Sequence, residues 1–470
     1  MATDDLDRTP SPASATSAIS VPSSSAIPDT LGRQRTIGRR GLLVAATATA
    51  VTVGAVGAVG AGAAYGEPLG ADDSHGGPGG RGVRCGADTA AADDWKVFSG
   101  RKIGVLTNPT GLIRDGLTSI VDVMVASGRV QVGAVFGPEH GFRGTAQAGS
   151  SEGTYIDART GVTVYDAYGA TIEKFQGFYA ESGIDTVVFD IQDVGARFYT
   201  YIWTMYNAMA AAARSGKGFI VLDRPNPVGG SARGPVLRDG FTSGVGLDKI
   251  AQQHGMTAGE VARYFNGEFL QRAVGATVAD LQVVPLQGWS PRSLFAETGL
   301  PWILPSPNMP TSDTALLYPG TCMFEATNLS EGRGTTRPFE LIGAPYVDDK
   351  WAQHLTAAGL PGVEFREAYF TPTFSKNANL VCGGVQVHLT DRSRLDAILV
   401  ATTMLTTLRD LYAGFDWRGD AGRWISLLTG SDRFLTMFTA GASAHQIVAA
   451  WQPELRDFDR SRQKYLLYRR

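Results

Sequence analysis

The sequence contains 470 residues, of which 58 are Gly and 23 are Pro; 43% are hydrophobic and 19% charged. This composition excludes a disordered polyelectrolyte, a coiled coil and a collagen-like chain, and the length suffices for two or three domains. The net charge of −3, from 42 basic and 45 acidic side chains, argues against a dedicated nucleic-acid-binding protein, so no nucleic-acid partner is expected.

The N-terminal region is predicted to direct export. Residues 1–37 are rich in Ser, Thr, Ala and Pro and lack apolar periodicity, which is typical of disorder. Arg39 and Arg40 then precede an uncharged Ala/Gly/Val run over 41–66, which resembles a twin-arginine signal with a small-residue cleavage site at 61–63. A retained membrane helix is the alternative, since the run exceeds the ~20 residues needed to span a bilayer. We therefore assign 1–64 to a disordered segment plus signal, with membrane contact only there, and 65–94 to a Gly/Pro-rich linker.

The three cysteines give little information on their own. Cys85 lies in the predicted linker. A disulfide between Cys322 and Cys382 is one alternative, but the sequence does not establish it. The chain has no CxxC pair, which argues against a structural zinc site.

The folded part is predicted to start near Trp95 with an α/β domain over 95–304. Short apolar runs alternate with helical sequence such as 118–126 and 201–214; the runs cover 102–106, 130–136, 163–165, 186–189 and 219–222. Continuous apolar strands that alternate with helices indicate a doubly wound, mostly parallel sheet covered on both faces.

Polar residues cluster where these runs end, and ligands of such sheets bind at the carboxyl ends of the strands. The cluster comprises Asn108, Glu139, His140, Asp190, Gln192, Asp193, Asp223, Arg224 and Asn226. Taken together, these residues predict an active site. Helix caps for Asp and Asn, and turns for Pro and Gly, are the alternative for each residue alone.

Residues 305–470 are predicted to form a smaller mixed α/β domain. The Pro-rich stretch 305–310 suits an extended segment, and 318–336 is polar and punctuated by glycine. A strand over 384–389 and a helix over 395–408 follow. The Glu331–Thr336 loop is expected to face the strand ends of the first domain across a cleft.

Several catalytic motifs are absent or incomplete. The chain has no HExxH and no GxxxxGK[ST], and its GxSxG match at 149–153 lacks a preceding strand and a following helix. Asp190, Asp193 and His140 could together ligate a metal, but no dense ligand spacing supports this. We therefore predict no metal and no cofactor.

Long motif strings resemble the exo-β-N-acetylmuramidase family, once grouped as a domain of unknown function. They are VLTNPTG at 105–111, GPEHGFRG at 137–144, FDIQDVGARFYTY at 189–201, DRPNP at 223–227, PSPNMP at 305–310 and SEGRGTT at 330–336. The resemblance extends from about residue 95 to the sequence YLLY at 465–468. It implies an exported enzyme that removes non-reducing terminal N-acetylmuramic acid from peptidoglycan fragments. It also implies a Rossmann-like domain and a smaller domain with the site between them.

Glycoside hydrolysis normally uses two carboxyl groups. Glu139 is our first choice for the general acid, because it sits in a rigid strand-end turn and the family resemblance also favours it. Glu331 and Asp193 lead for the second group, with Asp190 and Glu325 behind them. The acetamide of the substrate could itself be the nucleophile, in which case the second carboxylate would orient it.

The substrate carries a lactyl carboxylate, for which a bidentate arginine is the natural partner. The candidates for this role are Arg143, Arg197, Arg224 and Arg333. Asn108, Gln192, Asn226 and Asn308 suit sugar hydroxyls, while Tyr199, Tyr201 and Trp203 could stack on a pyranose or belong to the core. The predicted substrate-binding set also includes His140, Asp190, Asp223 and Asn328. A sugar-binding protein without activity and a metal-dependent cell-wall deacetylase or amidase are the alternative functions.

Overall fold

The computed structural model describes residues 82–419 and 421–470, so the predicted signal over 1–64 and most of the predicted linker lie outside the described residues. The strands are β1 Lys102–Thr107, β2 Leu112–Ile113, β3 Thr118–Ser119, β4 Gln131–Gly137, β5 Tyr155–Ile156, β6 Thr163–Asp166, β7 Thr186–Asp190, β8 Gly218–Leu222, β9 Arg233–Val236, β10 Ala251–Gln253, β11 Leu281–Val284, β12 Leu341–Ala344, β13 Val363–Phe370 and β14 Cys382–Leu389. The helices are α1 Gly86–Ala92, α2 Ile120–Ser127, α3 Ile172–Ser182, α4 Tyr201–Arg214, α5 Ala258–Phe265, α6 Gln271–Val274, α7 Ser312–Thr321, α8 Asp349–Ala357, α9 Ala397–Leu411, α10 Arg423–Thr429, α11 Arg433–Thr439, α12 Ala444–Ala450 and α13 Gln452–Arg462.

We refer to residues 82–304 as the first half of the folded chain and to residues 305–470 as the second half. A seven-stranded sheet forms the centre of the first half, in the order β11-β8-β7-β1-β4-β6-β5. All of its neighbouring pairs are parallel except β5 with β6. The predicted mixed α/β fold with a large, mostly parallel sheet is confirmed. Strand β1 lies between β4 and β7, where the chain order of the strands reverses, so loops after these strands diverge and leave a crevice.

Both faces of the sheet are covered, because alternate side chains of one strand point to opposite sides. Val187 and Phe189 of β7 pack in the layer that includes α3, α4 and α5. Val188, between them, packs in the opposite layer with α1 and α2. Every residue of β7 and β8 is buried, which explains why these strands read as unbroken apolar runs.

The folded part begins before Trp95, which corrects the predicted linker boundary. Helix α1 buries Ala87 and Ala90 against the sheet. A Cβ on Gly86 would lie 2.4 Å from the carbonyl oxygen of Val284, so the start of α1 requires glycine to approach the strand this closely. The composition of this stretch suggested a linker because the small residues that permit close packing are also common in flexible segments.

The second half contains the three-stranded antiparallel sheet β12-β14-β13. Helix α8 packs on it and on α9. Helix α7 contains Pro319 and continues into a 3₁₀ turn at Cys322–Ala326. Cys85, Cys322 and Cys382 are all buried free thiols, so the Cys322–Cys382 bridge does not form. Within the described ranges, none of the helices combines the length and apolar character needed to cross a bilayer.

The two halves share one continuous apolar core. Phe198 and Tyr199, which follow β7, contact Tyr318 of α7 edge-on, at ring-centroid distances of 5.4 and 5.6 Å. Residues 463–470 return to the first half, where the Tyr468 hydroxyl donates a hydrogen bond of 2.6 Å to Asp223 after β8. These contacts hold the two halves in one arrangement around the crevice.

Candidate active site

A cavity of about 590 Å³ opens at the carboxyl ends of β4 and β7 and is walled on the other side by residues of the second half. Its lining includes Glu139, His140 and Tyr199 from the first half and Glu325, Arg333 and Trp424 from the second. The crevice predicted from the strand ends therefore exists. Carboxyl groups from both halves reach it.

Glu139 follows β4 and both of its carboxylate oxygens accept hydrogen bonds. The Gly149 N–H donates to Oε1 at 2.8 Å, and the Thr200 hydroxyl donates to Oε2 at 3.1 Å. Thr200 directly precedes α4, and its side chain serves Glu139 rather than capping that helix. The side chain of Glu139 is half-buried, so the carboxyl is oriented by the protein and still faces the cavity.

The turn that carries Glu139 is tightly constrained. His140 adopts a φ of 72° and Gly141 a φ of 84°, and the buried His140 ring contacts the Ala146 carbonyl at 3.0 Å. A Cβ on Gly141 would lie 2.2 Å from carbons of the Glu152 side chain. Glu152 accepts hydrogen bonds from the backbone N–H groups of Arg143 and Thr145, which fastens the loop after β4. This explains why the motif needs glycine directly after His140.

The second half contributes a cluster of charged side chains on the segment after α7. Arg333 Nη2 donates to Glu325 Oε1 at 2.7 Å, and its Nε lies 3.1 Å from Glu331 Oε1. Glu331 is only 2% exposed and lies behind the other two, outside the cavity lining. Burial raises the pKa of Glu325, and the charge of Glu331 raises it further, while Arg333 opposes both effects.

Aromatic side chains form much of the remaining wall. Tyr199 contacts Tyr201 edge-on with ring centroids 5.2 Å apart, and burial raises the pKa of both hydroxyls. The Trp203 Nε1–H donates to the Arg197 carbonyl at 2.7 Å. All three aromatic residues singled out in the sequence line the cavity, as does Tyr318 of α7. Such rings provide apolar surface of the kind on which a sugar ring can stack.

Asp190 and Arg224 lie elsewhere, as a buried bidentate ion pair. Arg224 Nε and Nη2 donate to the two carboxylate oxygens of Asp190 at 2.5 and 2.9 Å, beneath the carboxyl end of β7. Gln192 donates from Nε2 to the carbonyls of Asp193 and Pro225. Arg224 and Gln192 border a separate cavity of about 30 Å³ rather than the larger one.

Asp193 and Asp223 are also engaged with the protein itself. Asp193 Oδ2 accepts from the Gly195 N–H at 2.7 Å and lies 3.1 Å from His254 Nε2. Asp223 accepts hydrogen bonds from the Thr257 hydroxyl, the Gly259 N–H at the start of α5 and the Tyr468 hydroxyl. Burial raises the pKa of Asp223 to about 6. Neither carboxyl belongs to the lining of the larger cavity.

Two of the remaining candidate arginines hold the protein together. Arg143 bridges the buried carboxylates of Asp122 and Asp157 at 2.9 and 2.8 Å. Arg197 is fully buried and donates to the carbonyls of Pro235, Ile250 and Leu428; burial lowers its pKa to about 9. Of the four candidate arginines, Arg333 is the one that lines the cavity.

The candidate asparagines mostly shape turns. Asn108 Oδ1 accepts from the Thr110 N–H, and Asn226 Oδ1 accepts from the Val228 N–H. Asn328 donates from Nδ2 to the Gly414 carbonyl. Asn308 is buried, and its Nδ2 has no hydrogen-bond partner among the described residues. None of the four is part of the cavity lining.

The sequence analysis did not single out several residues of this wall, among them Thr200, Tyr318 and Trp424. Thr200 and Tyr318 lie inside stretches already noted, but nothing distinguished them from structural residues. Trp424 comes from α10, roughly a hundred residues after the neighbouring Glu325, and no local motif marks it. Within the part of the chain that the structure describes, no three His, Cys, Asp or Glu side chains are grouped so that they could hold a metal ion.

Known proteins resemble this chain over most of its length. Residues 103–313 match the family described as exo-beta-N-acetylmuramidase NamZ, N-terminal, and residues 316–468 match its C-terminal counterpart. The peptidoglycan beta-N-acetylmuramidase NamZ of Bacillus subtilis (strain 168) is 44% identical over 389 residues, which cover 82% of this chain and 91% of that protein. Crystal structures of two DUF1343 family proteins from Bacteroides fragilis NCTC 9343 superpose with TM-scores of 0.73 and 0.66, at 34% and 30% identity. They cover 82% and 83% of this chain, and 99% of each of those chains is matched.

Proposed function

We infer that this chain, which belongs to the exo-β-N-acetylmuramidase NamZ family, is a glycoside hydrolase that acts on peptidoglycan. It releases N-acetylmuramic acid from the non-reducing end of peptidoglycan fragments. The structural observation that supports this function is the cavity between the two halves. Glu139, Glu325, Arg333 and several aromatic rings line this one cavity.

Glu139 is the proton donor in the proposed mechanism. Cleavage of a glycosidic bond requires a proton on the leaving oxygen, and a carboxyl group held at the cavity wall can supply it. The Thr200 hydroxyl and the Gly149 N–H hold the carboxyl of Glu139 in one orientation. Preorientation matters because a displacement of about 1 Å can cost roughly a hundredfold in rate.

Glu325 supplies the second carboxyl group in this proposal. It lines the cavity, whereas Glu331 and Asp193 are enclosed by protein partners behind the wall. In its ionised form Glu325 stabilises the positive charge that develops at the anomeric carbon as the bond to the leaving group breaks. The sequence analysis ranked Glu325 after Glu331 and Asp193 as a candidate for the second carboxyl group. The cavity lining supports Glu325 over both.

Arg333 is the proposed partner of the lactyl carboxylate. Its Nη2 and Nε are directed at Glu325 and Glu331, and its Nη1 has no hydrogen-bond partner among the described residues. The other three candidate arginines are committed to buried carboxylates or carbonyls. A guanidinium at the wall can therefore bind both a catalytic carboxylate and an anionic substrate group.

The same proposal extends to domain organisation and export. The six parallel strands, numbered along the chain, have the spatial order 3-2-1-4-5-6 and helices on both faces, which supports a Rossmann-like, doubly wound domain over 95–304. Residues 305–470 would then be the smaller domain that closes the cleft. Arg39 and Arg40, before the apolar run, support export by a twin-arginine-type signal.

The test compares a muramic acid disaccharide with a nitrophenyl glycoside of N-acetylmuramic acid. The wild type should hydrolyse both, with no effect of a chelator. Glu139→Gln should lose about 10²- to 10⁴-fold on the disaccharide. It should lose much less on the nitrophenyl glycoside, because that leaving group departs without a proton. Glu173→Gln, at an exposed position on α3, is the matched control and should behave as wild type.

If the wild type hydrolyses neither substrate, the proposed glycosidase activity is wrong. Release of acetate that a chelator abolishes would favour a metal-dependent deacetylase, and binding without turnover would favour a sugar-binding protein. Equal losses of Glu139→Gln on both substrates would remove Glu139 from the role of proton donor.

A further inference from the structure

A buried lysine stands behind the charged side of the cavity. Lys376, in the connection between β13 and β14, donates hydrogen bonds to the carbonyls of Phe324 and Thr327 at 2.6 and 2.9 Å. These carbonyls flank Glu325 in the chain. The Lys376 ammonium also lies 2.9 Å from Glu331 Oε2, in an ion pair whose alignment gives that oxygen no well-formed hydrogen bond.

The backbone around Lys376 is bent so that this side chain points inward. Ser375 and Asn377, on either side of it, have φ values of 69° and 57°, in a region that side-chain-bearing residues seldom adopt. The preceding Phe374 is 45% exposed, whereas the Lys376 side chain is 15% exposed. Burial lowers the pKa of Lys376, which is the expected response of an ammonium that has left water. Positive φ values on both sides of Lys376, together with the burial of its ammonium, indicate that the fold holds this charge in place.

The four side chains of the ion-pair cluster around Lys376 carry balanced charges, whereas Arg418 faces the cluster from an exposed position. Glu325 and Glu331 contribute two negative charges, and Arg333 and Lys376 contribute two positive charges. The other titratable groups that face this cluster are Arg418, Tyr318 and Cys322, and burial raises the pKa values of the Tyr318 hydroxyl and the Cys322 thiol. Without Lys376, Arg333 would be the one cation paired with the two carboxylates, because Arg418 is exposed and forms no ion pair with either among the described residues. Buried charges of one sign without compensation are costly.

We propose that Lys376 is a positioning residue: it neutralises Glu331, so that Arg333 remains shared between Glu331 and Glu325 and both Arg333 and Glu325 stay at the cavity wall. Lys376 itself is not part of the cavity lining, so it acts through these neighbours. The inference rests on the proposed function, because it assigns Glu325 the role of second carboxyl group. It predicts that the pH dependence of activity changes with the net charge of the cluster, and not simply with the loss of the Lys376 side chain.

The experiment measures the pH dependence of kcat/KM on the muramic acid disaccharide for Lys376→Met, Glu331→Gln and the double variant. Removal of a nearby positive charge disfavours ionised Glu325, so the acid limb should move up by about one pH unit in Lys376→Met. Removal of the Glu331 charge should move it down, and the double variant should return close to wild type. Lys350→Met, which removes an exposed ammonium paired with Asp348, is the matched control and should leave the profile unchanged.

Urea unfolding of the same variants at pH 8 and pH 5 provides a readout that does not depend on turnover. Lys376→Met should lose more stability at pH 8, because the unpaired carboxylate takes up a proton as the pH falls. Addition of Glu331→Gln should recover most of that loss. If the wild type does not hydrolyse the disaccharide, the proposed function is wrong. The unfolding data would still test whether Lys376 neutralises Glu331. A limb that does not move, or a double variant that is additively worse than both single variants, would overturn the proposal.

Discussion

Tyr468→Phe should destabilise the protein in a pH-dependent way. The Tyr468 hydroxyl donates to Asp223 Oδ2 at 2.6 Å and accepts from the Leu286 N–H at 2.9 Å. Asp223 is fully buried, so the substitution removes a hydrogen bond to a desolvated carboxylate and leaves a backbone donor without its acceptor. Hydrogen bonds to charged groups contribute about 1.5–3 kcal/mol, and we expect a loss of about 2–3 kcal/mol in the free energy of unfolding at pH 8.

The sign of the pH dependence follows from the titration of Asp223. Burial raises its pKa to about 6, and the hydrogen bond from Tyr468 opposes that rise. Tyr468 therefore lowers the folded-state pKa of Asp223. Its contribution is fully present above the higher pKa that Asp223 would have without this hydrogen bond, and it declines as the pH falls from there through about 6 and the carboxyl becomes protonated. At pH 5, the loss in Tyr468→Phe should be about half of that at pH 8, with the Leu286 N–H accounting for the remainder.

The assay is urea unfolding at pH 8 and pH 5, with Tyr412→Phe as the matched control. The Tyr412 hydroxyl also donates to a carboxylate at 2.6 Å, but Asp348 is 42% exposed, so water can replace the bond and the loss should be much smaller than that of Tyr468→Phe. Equal losses for the two variants, or the same loss for Tyr468→Phe at both pH values, would refute the reasoning.

Two further substitutions separate the site from the scaffold. Thr200→Val removes the hydroxyl that orients Glu139, so kcat should fall about tenfold at unchanged KM in steady-state assays; Thr204→Val, one turn later on the same cavity wall, should not reproduce this. Arg143→Met leaves two buried aspartates without their shared partner and should cost about 3–5 kcal/mol in urea unfolding, with KM unchanged; the exposed Arg129→Met is the control and should cost less than about 1 kcal/mol. A raised KM in Arg143→Met, or equal effects of the two threonine substitutions, would contradict these assignments.

The central sheet could be predicted well because its signal is local. Strands β7 and β8 are buried throughout, so they read as apolar runs, and α4 begins and ends where the helical pattern does. Helix α1 was missed because Ala and Gly give the same composition in a flexible linker as in a closely packed helix. The order of the strands places Glu139 and Tyr199 in the lining of the same cavity.

The site could be located from the sequence but its members could not be ranked. Arg143, Arg224 and Arg333 look alike in the chain, and each is paired with carboxylates in the fold. What separates them is whether the pair faces a cavity, which depends on contacts between segments far apart in sequence. Glu325 and Glu331 differ in the same way: one reaches the wall and the other lies behind it.

The contact between Asp223 and Tyr468 also bears on the order in which the chain folds. The two residues are 245 positions apart, so β8 and the start of α5 leave the ribosome long before the hydroxyl that completes their hydrogen bonding. Contacts between residues so far apart in sequence form more slowly than local ones, so we expect this contact to form late in folding. A nascent chain that stops short of residue 468 would therefore leave the buried Asp223 carboxylate with two of its three hydrogen bonds, beside the sheet. Such a chain would also leave the Leu286 N–H without its acceptor, so this side of the crevice would be less stable than in the complete chain.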